Sequence, residues 1–270
     1  MKNSSSRWLA VTAGVGSSHF EDAAFRVRDT LKASGIVDEV VAVTTKDLPS
    51  ICPKTTKLYR EIMNAETRGF GYMCWKAEIV NAAIEGVWGD YQGVIWIDAG
   101  CEIALNPISM IRFRAFKKYA MGKGVACFSL DTLEVEYTKR DIFELFPAID
   151  PFNSGHQIQT TWFFLYGEIG KKISREWLST VLVGANILNL EPSSLPEYAS
   201  FIENRYDQST FSMVCKNNQI TPMNYVPTTG HGTTRSIING FFHPIWTSRN
   251  RVGKSVKTKL HKLFENPWKF

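Results

Sequence analysis

The N-terminal part of the chain has a strand–helix–strand pattern, which restricts the fold more than any other feature. Trp8–Ala13 is a short apolar run that ends at Gly14, as a buried strand followed by a turn would. His19–Ala33 has apolar residues at helical spacing and stops near Gly35, and Val40–Val43 is a second apolar run. A βαβ unit of this size favours a parallel sheet covered by helices. We therefore predict an α/β fold.

The rest of the chain continues this alternation of helices and strands. Helices are predicted over Lys57–Asn64, Trp75–Ile84, Ser109–Tyr119, Ile173–Val183 and Asp207–Asn217, and strands over Gly93–Gly100, Val125–Leu130 and Gln159–Tyr166. With 270 residues, 44% of them hydrophobic, the chain is long and apolar enough to bury one large core. We predict a Rossmann-type mixed sheet flanked by helices, in one domain over residues 1–250 with a loop-rich C-terminal part.

The formal net charge of +5 is concentrated at the C-terminus. From Phe241 onward the charged residues are Arg249, Arg251, Lys254, Lys257, Lys259, Lys262 and Lys269 against Glu265. Residues 1–240 are therefore close to neutral, and a nucleic-acid partner, which requires a basic body, is not expected. Residues 251–270 form a basic tail with apolar residues at helical spacing, so we expect peripheral contact with an anionic membrane surface. The alternative is a tail that is only solvated.

The cysteines and the apolar segments indicate a cytoplasmic protein. Cys52, Cys74, Cys101, Cys127 and Cys215 form no C-x-x-C pair and are odd in number, so we expect buried, reduced thiols. Met1–Ser6 is polar and lacks the apolar core of a signal peptide, and no apolar run is long enough to span a bilayer. The expected location is the cytoplasm, with contact to the inner face of the membrane.

Asp98 is the strongest candidate site residue. It ends the apolar run Val94-Ile95-Trp96-Ile97, and the small residues Ala99 and Gly100 that follow let a ligand approach. Ligands of open parallel sheets bind beyond the carboxyl ends of the strands. A carboxylate there suits a divalent cation that bridges a diphosphate. The alternative is that Asp98 only caps a turn.

Four short motifs, in this order, resemble the nucleotide-sugar glycosyltransferases of the GT-A type, a part of the nucleotide-diphospho-sugar transferase superfamily. They are the opening βαβ unit, Gly69-Phe70-Gly71-Tyr72 with Trp75-Lys76 behind it, the strand end at Asp98-Ala99-Gly100, and Tyr206-Asp207-Gln208-Ser209. Order and spacing match over residues 7–250. The resemblance implies that Thr12, Ala13 and Gly14 contact the nucleotide, and that Asp98 begins an Asp-x-Asp motif which holds Mn²⁺ or Mg²⁺.

The third position of that motif is Gly100 instead of an aspartate, so one metal ligand is missing. Either Glu102 or the late loop histidine His231 completes the site, or cationic side chains replace the metal. Lys76 is the first candidate for such a cation, because an ammonium stabilises a departing diphosphate as a metal does. The alternative is that Lys76 is a surface lysine at the start of a helix. Further candidates are Arg68, Arg235, Arg249 and Arg251.

Asp207 opens a predicted helix, and the resemblance places it against the donor sugar or the acceptor, beside Gln208. It acts either as a general base on the acceptor hydroxyl or by binding the sugar and stabilising positive charge. The alternative is a helix N-cap. Gln157 is expected to contact the donor sugar through its amide, whereas Trp162 is expected in the core. His243, with Arg249, is a candidate for a closing loop.

The resulting hypothesis is a hexosyl- or related transferase of polysaccharide biosynthesis, which moves a sugar from a nucleotide-diphosphate donor to a hydroxyl of a glycan or glycolipid. A catalytically inactive module that binds nucleotide-sugar or glycan is the alternative, and Gly100 favours it. A nucleotidyltransferase is a weaker third option, because the Gly-rich basic loop expected after the first strand is missing. No P-loop, serine-hydrolase elbow or complete dinucleotide fingerprint is found.

Overall fold

A computed structural model describes residues 6–224 and 243–247 of the chain. The strands are β1 (Trp8–Gly14), β2 (Glu39–Thr44), β3 (Gly93–Ile97), β4 (Glu102–Ile103), β5 (Val125–Ala126), β6 (Ser129–Leu133), β7 (His156–Ile158), β8 (Trp162–Tyr166) and β9 (Ile245–Trp246). The helices are α1 (Ser18–Ser34), α2 (Leu48–Ile51), α3 (Pro53–Leu58), α4 (Gly69–Tyr72), α5 (Trp75–Ile84), α6 (Pro107–Lys123), α7 (Glu134–Tyr137), α8 (Arg140–Glu144), α9 (Gly167–Val181) and α10 (Asp207–Asn217). Single 3₁₀ turns lie at Thr45–Asp47, Pro151–Asn153 and Ala185–Ile187.

The central sheet has five strands in the order β2-β1-β3-β8-β5. β1 pairs in parallel with both β2 and β3, and β8 runs antiparallel between β3 and β5. Every residue of β1 and β3 is buried, as expected for strands covered on both faces. The predicted mixed α/β sheet flanked by helices is therefore confirmed.

Helices cover both faces of this sheet, and alternate residues of each strand point to opposite layers. On one face α1 and α6 pack over Trp8, Ala10 and Ile95. On the other, α5, α9 and α10 pack over the face that carries Val11 and Trp96. The two layers bury a core large enough to fix the positions of the strand ends.

Several predicted elements differ from the structure in their bounds. α9 begins at Gly167 instead of Ile173, and β8 begins at Trp162 instead of Gln159. The helix expected over Lys57–Asn64 instead runs from Pro53 to Leu58, because proline is well suited to the first helical position. The strand expected over Val125–Leu130 is split into β5 and β6. The chain leaves the central sheet at the split, where the Met223 amide donates to the Cys127 carbonyl.

The turn after β1 needs its glycine. A Cβ on Gly14 would lie 2.1 Å from the Phe20 carbonyl oxygen, so only glycine lets the start of α1 pack this closely on the strand. This close packing helps to set the edge of the sheet where β1 and β3 end together.

All five cysteines are buried and free, as predicted. Within residues 6–224 and 243–247, no helix is both long enough and apolar enough to cross a bilayer. The predicted tail over residues 251–270 lies outside the described residues, and its separation from the domain over residues 1–250 stays a prediction.

Candidate functional site

A cleft of about 830 Å³ opens at the carboxyl ends of β1 and β3, where open α/β sheets bind their ligands. Most of it is formed by five segments: the turn after β1, the loop before α5, the end of β3, the loop between β7 and β8, and the chain leading into α10. Its lining includes Ala13, Gly16, Arg68, Phe70, Lys76, Asp98, Gly100, Gln159, Thr160, Arg205, Tyr206, Asp207 and Gln208.

Lys76 lies at the floor of the cleft, and its side chain is only 2% exposed. Its ammonium Nζ is 2.7 Å from Asp207 Oδ2 and 3.0 Å from Asp98 Oδ1. The Thr160 carbonyl oxygen lies 3.5 Å away, and the Trp96 ring centroid 5.4 Å away. A buried ammonium is stable only with such partners, so this cation holds the two carboxylates together.

Asp98 follows β3 and turns its carboxylate towards the cleft. Its Oδ1 accepts a 2.7 Å hydrogen bond from Trp96 Nε1, two residues earlier on the same face of the strand. Its side chain is 31% exposed, in contrast to Lys76. The Asp98 carboxylate therefore lines the cleft and does not cap the turn. The turn is closed by the backbone, where the Asp98 carbonyl accepts from the Cys101 amide.

Asp207 is the first residue of α10, and the N-cap position belongs to Tyr206. The Asp207 carboxylate does not cap the helix. Its Oδ2 accepts from Thr160 Oγ1 at 2.9 Å in addition to Lys76. The carboxylate at the start of α10 and the one at the end of β3 therefore both contact the Lys76 ammonium.

The three charges at the floor influence one another. Burial opposes the charged form of Lys76, but the charges of Asp207 and Asp98 outweigh it and raise the pKa of the ammonium above its usual range. Burial raises the pKa of Asp98 above that of an ordinary aspartate, and the Lys76 charge offsets this only in part. Lys76 is therefore a permanent cation, shared between two carboxylates.

Residues with a strained backbone lie along one wall of the cleft, where Phe70, Met73 and Tyr206 line it and Tyr72 packs behind Tyr206. Tyr72 and Tyr206 stack with ring centroids 5.1 Å apart, and the Arg68 guanidinium lies 5.2 Å from the Tyr206 centroid. Phe70, Tyr72, Met73 and Tyr206 all have φ between 51° and 59°. Such backbone conformations are costly for residues other than glycine and concentrate at functional sites.

Most of the predicted donor-binding residues reach the cleft. Ala13, Lys76, Asp98, Gly100, Gln208 and the predicted catalytic Asp207 line it together. Thr12 is fully buried within β1, and Gly14 packs against the start of α1, so neither faces the cleft.

Gln157 lies behind the cleft wall instead of in it. Its side chain is fully buried, and its Nε2 donates to the Tyr137 carbonyl at 3.1 Å and to Ser209 Oγ at 3.2 Å. Its Oε1 accepts from Gln208 Nε2 at 2.5 Å. In this structure Gln157 supports Gln208 and does not itself line the cleft. The reason is that β7 pairs with β6, in a separate two-stranded sheet.

Sequence reasoning missed Thr160, Trp96 and Arg205. Arg205 lines the cleft, its guanidinium lies 3.9 Å from the Tyr137 ring centroid, and its Nε is 3.8 Å from Glu203 Oε1. Arg205 directly precedes the motif Tyr206-Asp207-Gln208, and this position indicates that it lies near the site. The spacing of two between Trp96 and Asp98 was another, since such residues share one face of a strand.

The described residues near Asp98 do not by themselves suit a divalent cation. No group of three or more His, Cys, Asp or Glu side chains in residues 6–224 and 243–247 could hold a metal ion. Asp98 Oδ1 already faces an ammonium and an indole N–H, and Glu102 lies in β4, outside the cleft lining. The predicted partner His231 lies outside the described residues, as do Arg235, Arg249 and Arg251, so metal binding by Asp98 and His231 stays a prediction.

The remaining aromatic candidates belong to the core. Trp162 is buried, with its ring centroid 4.1 Å from that of Phe128, as expected. His243 is also buried, against Trp162 at 5.3 Å, with Nδ1 3.1 Å from the Ile245 carbonyl oxygen. Its imidazole stabilises the packing of the 243–247 segment.

No protein-family model and no curated protein matches this sequence. Structural comparison finds mouse Xyloside xylosyltransferase 1 in its apo form, with 12% identity and a TM-score of 0.44 over 91% of this chain and 99% of that one. A glycosyltransferase involved in the glycosylation of the major capsid of PBCV-1 gives 11% identity and a TM-score of 0.47, over 89% and 93% of the two chains.

The apo structure of the WbbM bifunctional glycosyltransferase gives 7% identity and a TM-score of 0.46, over 91% of this chain and 46% of that one. Likenesses with TM-scores below 0.5 say nothing about the reaction.

Proposed function

We propose that this protein is a glycosyltransferase, which moves a sugar from a nucleoside diphosphate to a hydroxyl of a glycan or glycolipid. The observation that carries the proposal is the Lys76 ammonium, buried between Asp98 and Asp207 at the floor of the cleft. These three residues come from three of the motifs that resemble GT-A enzymes, and the fold brings them within hydrogen-bonding distance.

The charges of the cleft suit a donor with a sugar and a diphosphate. Arg68 and Arg205 line the cleft and would bind phosphate oxygens, since a guanidinium matches their geometry. The three donors of the Lys76 ammonium face Asp98, Asp207 and the Thr160 carbonyl, so Lys76 would fix the two carboxylates at the floor of the cleft. Asp98, Asp207 and Gln208 offer acceptors and an amide for sugar hydroxyls.

In the proposed reaction, the bond between the anomeric carbon and the phosphate oxygen breaks, and the acceptor oxygen bonds to the anomeric carbon. The acceptor proton leaves to a base or to the released phosphate. Asp207 is better placed to stabilise positive charge on the sugar than to take this proton. Its Oδ2 already accepts from an ammonium and a hydroxyl, which leaves little room there for a third proton donor.

A catalytically inactive binding module is the second candidate, and Gly100 favours it because the resembling family has a carboxylate at this position. The same cleft would then bind a nucleotide-sugar without breaking it. Turnover separates the two functions, whereas binding does not.

The test is a thermal-shift screen against UDP-, GDP-, CMP- and dTDP-sugars, with Mn²⁺, with Mg²⁺ and with EDTA, followed by turnover of the donor that stabilises the fold. Asp207→Asn, which keeps the size of the side chain, should retain donor binding and lower turnover by roughly 100-fold. If no donor shifts the melting temperature under any condition, the proposal fails. If a donor binds without turnover, the inactive module is correct.

A further inference from the structure

α6 carries an unusual surface on the face opposite its packing side. Phe113 and Ala120 bury the inner side of the helix, and the Phe113 ring packs on Phe164 at 5.4 Å. On the outer side Ile108 is 47% exposed and Ile111 is 63% exposed, and Leu105 just before the helix is 48% exposed. Large aliphatic side chains at this exposure in one patch indicate an interaction surface.

The same helix is strongly basic. Its charged residues are Arg112, Arg114, Lys117, Lys118 and Lys123, and it contains no Asp or Glu. Arg114 and Lys118 are exposed and lie three and seven residues after Ile111, so they share its side of the helix. Lys117 differs, since its Nζ donates to the Ile36 carbonyl at 2.8 Å and serves the fold.

We propose that the α6 face, formed by Leu105, Ile108, Ile111, Arg114 and Lys118, docks on an anionic phospholipid surface. A helix that lies in the membrane interface inserts aliphatic side chains below the headgroups and places cations at the phosphates. The α6 face has both the exposed aliphatic side chains and the cations. Since α6 contains no acidic residue, its charge complements an anionic leaflet over the whole length of the helix. It is a surface of the folded body, distinct from the tail over residues 251–270.

The start of α6 is connected to the cleft through the 243–247 segment. The connection from Asp98 to Leu105 is short, and the Ser109 hydroxyl at the start of α6 donates to the His243 carbonyl at 3.3 Å. Thr247, at the end of the same segment, lines the cleft. The proposal does not depend on the reaction performed there.

The experiment is sedimentation of the full chain with vesicles of phosphatidylcholine alone or with phosphatidylserine. Binding should require phosphatidylserine and weaken as salt rises. Arg114→Gln with Lys118→Gln should weaken binding about 30-fold, since each cation near an anionic surface contributes about 1 kcal/mol. Ile108→Ser with Ile111→Ser should also weaken it. The matched control is Lys171→Gln with Lys172→Gln on α9, which packs on the other face of the sheet and should bind normally.

Unchanged binding by both α6 variants would overturn the proposal, as would equal binding to neutral vesicles. Loss of binding only when Lys257, Lys259 and Lys262 are changed to Gln would assign the contact to the tail instead. A native mass in solution that falls to the monomer in the Ile108→Ser, Ile111→Ser variant would show that this face binds a second copy. Nucleoside diphosphate release without vesicles should be the same in all α6 variants, so failure here is separate from failure of the proposed function.

Discussion

Two lysines of this protein are buried to the same degree but have opposite surroundings. Taken as whole residues, Lys76 and Lys139 are each 1% exposed. Lys76 contacts two carboxylates at the floor of an open cleft, whereas Lys139 Nζ donates to the Asn186 carbonyl at 2.5 Å, the Glu191 carbonyl at 2.8 Å and Asn189 Oδ1 at 3.1 Å. The carboxyl group nearest to Lys139, Asp141, is 4.0 Å away.

The difference separates a binding site from a structural anchor. Neutral carbonyls satisfy the donors of Lys139 without cancelling its charge, so burial lowers the pKa of this ammonium. They also fix the connection after α9 to the rest of the fold. The two carboxylates around Lys76 do the opposite, since they raise the pKa of its ammonium and leave one net negative charge at the floor of the cleft.

The largest expected effect comes from Lys76→Met. This change removes the ammonium that Asp98 and Asp207 share and leaves the two carboxylates facing each other without a counter-ion. We expect the rate of sugar transfer to fall by about 100- to 1000-fold. The measurement is release of nucleoside diphosphate at equal concentrations of folded protein. A rate indistinguishable from the native one would remove Lys76 from the site.

Lys139→Met should affect stability without affecting the reaction. The substitution leaves the carbonyls of Asn186 and Glu191 without their buried donor, at a cost of about 3 kcal/mol in the free energy of unfolding. Urea denaturation measures the loss, and the transfer rate per folded molecule serves as the control. A strong loss of rate at unchanged stability would contradict the assignment of Lys139 as an anchor.

His243 should make the free energy of unfolding depend on pH, independently of Lys76 and Lys139. Burial lowers the pKa of its imidazole to about 4, from an ordinary value of 6.5. The unfolded chain therefore binds the proton more readily, and stability is full above pH 6.5 and lost as the pH falls towards 4. The loss at pH 5 should be about 2 kcal/mol. Denaturation of the native chain and of His243→Phe across this range measures it, and an equal slope in both would contradict the assignment.

The smallest expected effect is that of Asp141→Asn, beside the anchor lysine. Asp141 Oδ1 accepts from the Ser194 amide at 2.9 Å and from the Ser194 hydroxyl at 2.5 Å, and an asparagine oxygen keeps an acceptor there. We expect a loss of about 1 kcal/mol in the free energy of unfolding and no change in transfer rate. A loss as large as that of Lys139→Met would mean that the distant ion pair contributes more than the carbonyls do.

Much of the site could be predicted from sequence where local pattern determines position. Asp98 ends an apolar strand, and the carboxyl end of a parallel strand lies at the ligand edge of the sheet. The bounds of α5 and α10 also follow from sequence, so Lys76 and Asp207 were found as candidates. That Asp98 and Asp207 share the Lys76 ammonium was not predictable, because these contacts depend on how α5 and α10 pack on the sheet.

The placement of Gln157 shows where sequence reasoning stops. Its residue type suits a sugar site, but the register of β7 on β6 buries it behind the cleft. Side-chain direction in a strand reverses with every residue, so an error in pairing changes the role of a residue completely. Thr160 also could not be predicted, because it lies in the loop between β7 and β8 and only the tertiary fold brings its hydroxyl to Asp207.

The most direct test of the account is a turnover experiment that follows the sugar itself. The native chain is incubated with the donor found by thermal shift and a panel of glycan acceptors, and the products are analysed by mass spectrometry. We predict that one acceptor gains a sugar while an equal amount of nucleoside diphosphate is released. A donor that stabilises the fold but stays intact with every acceptor would contradict the account and show that this cleft binds without catalysing.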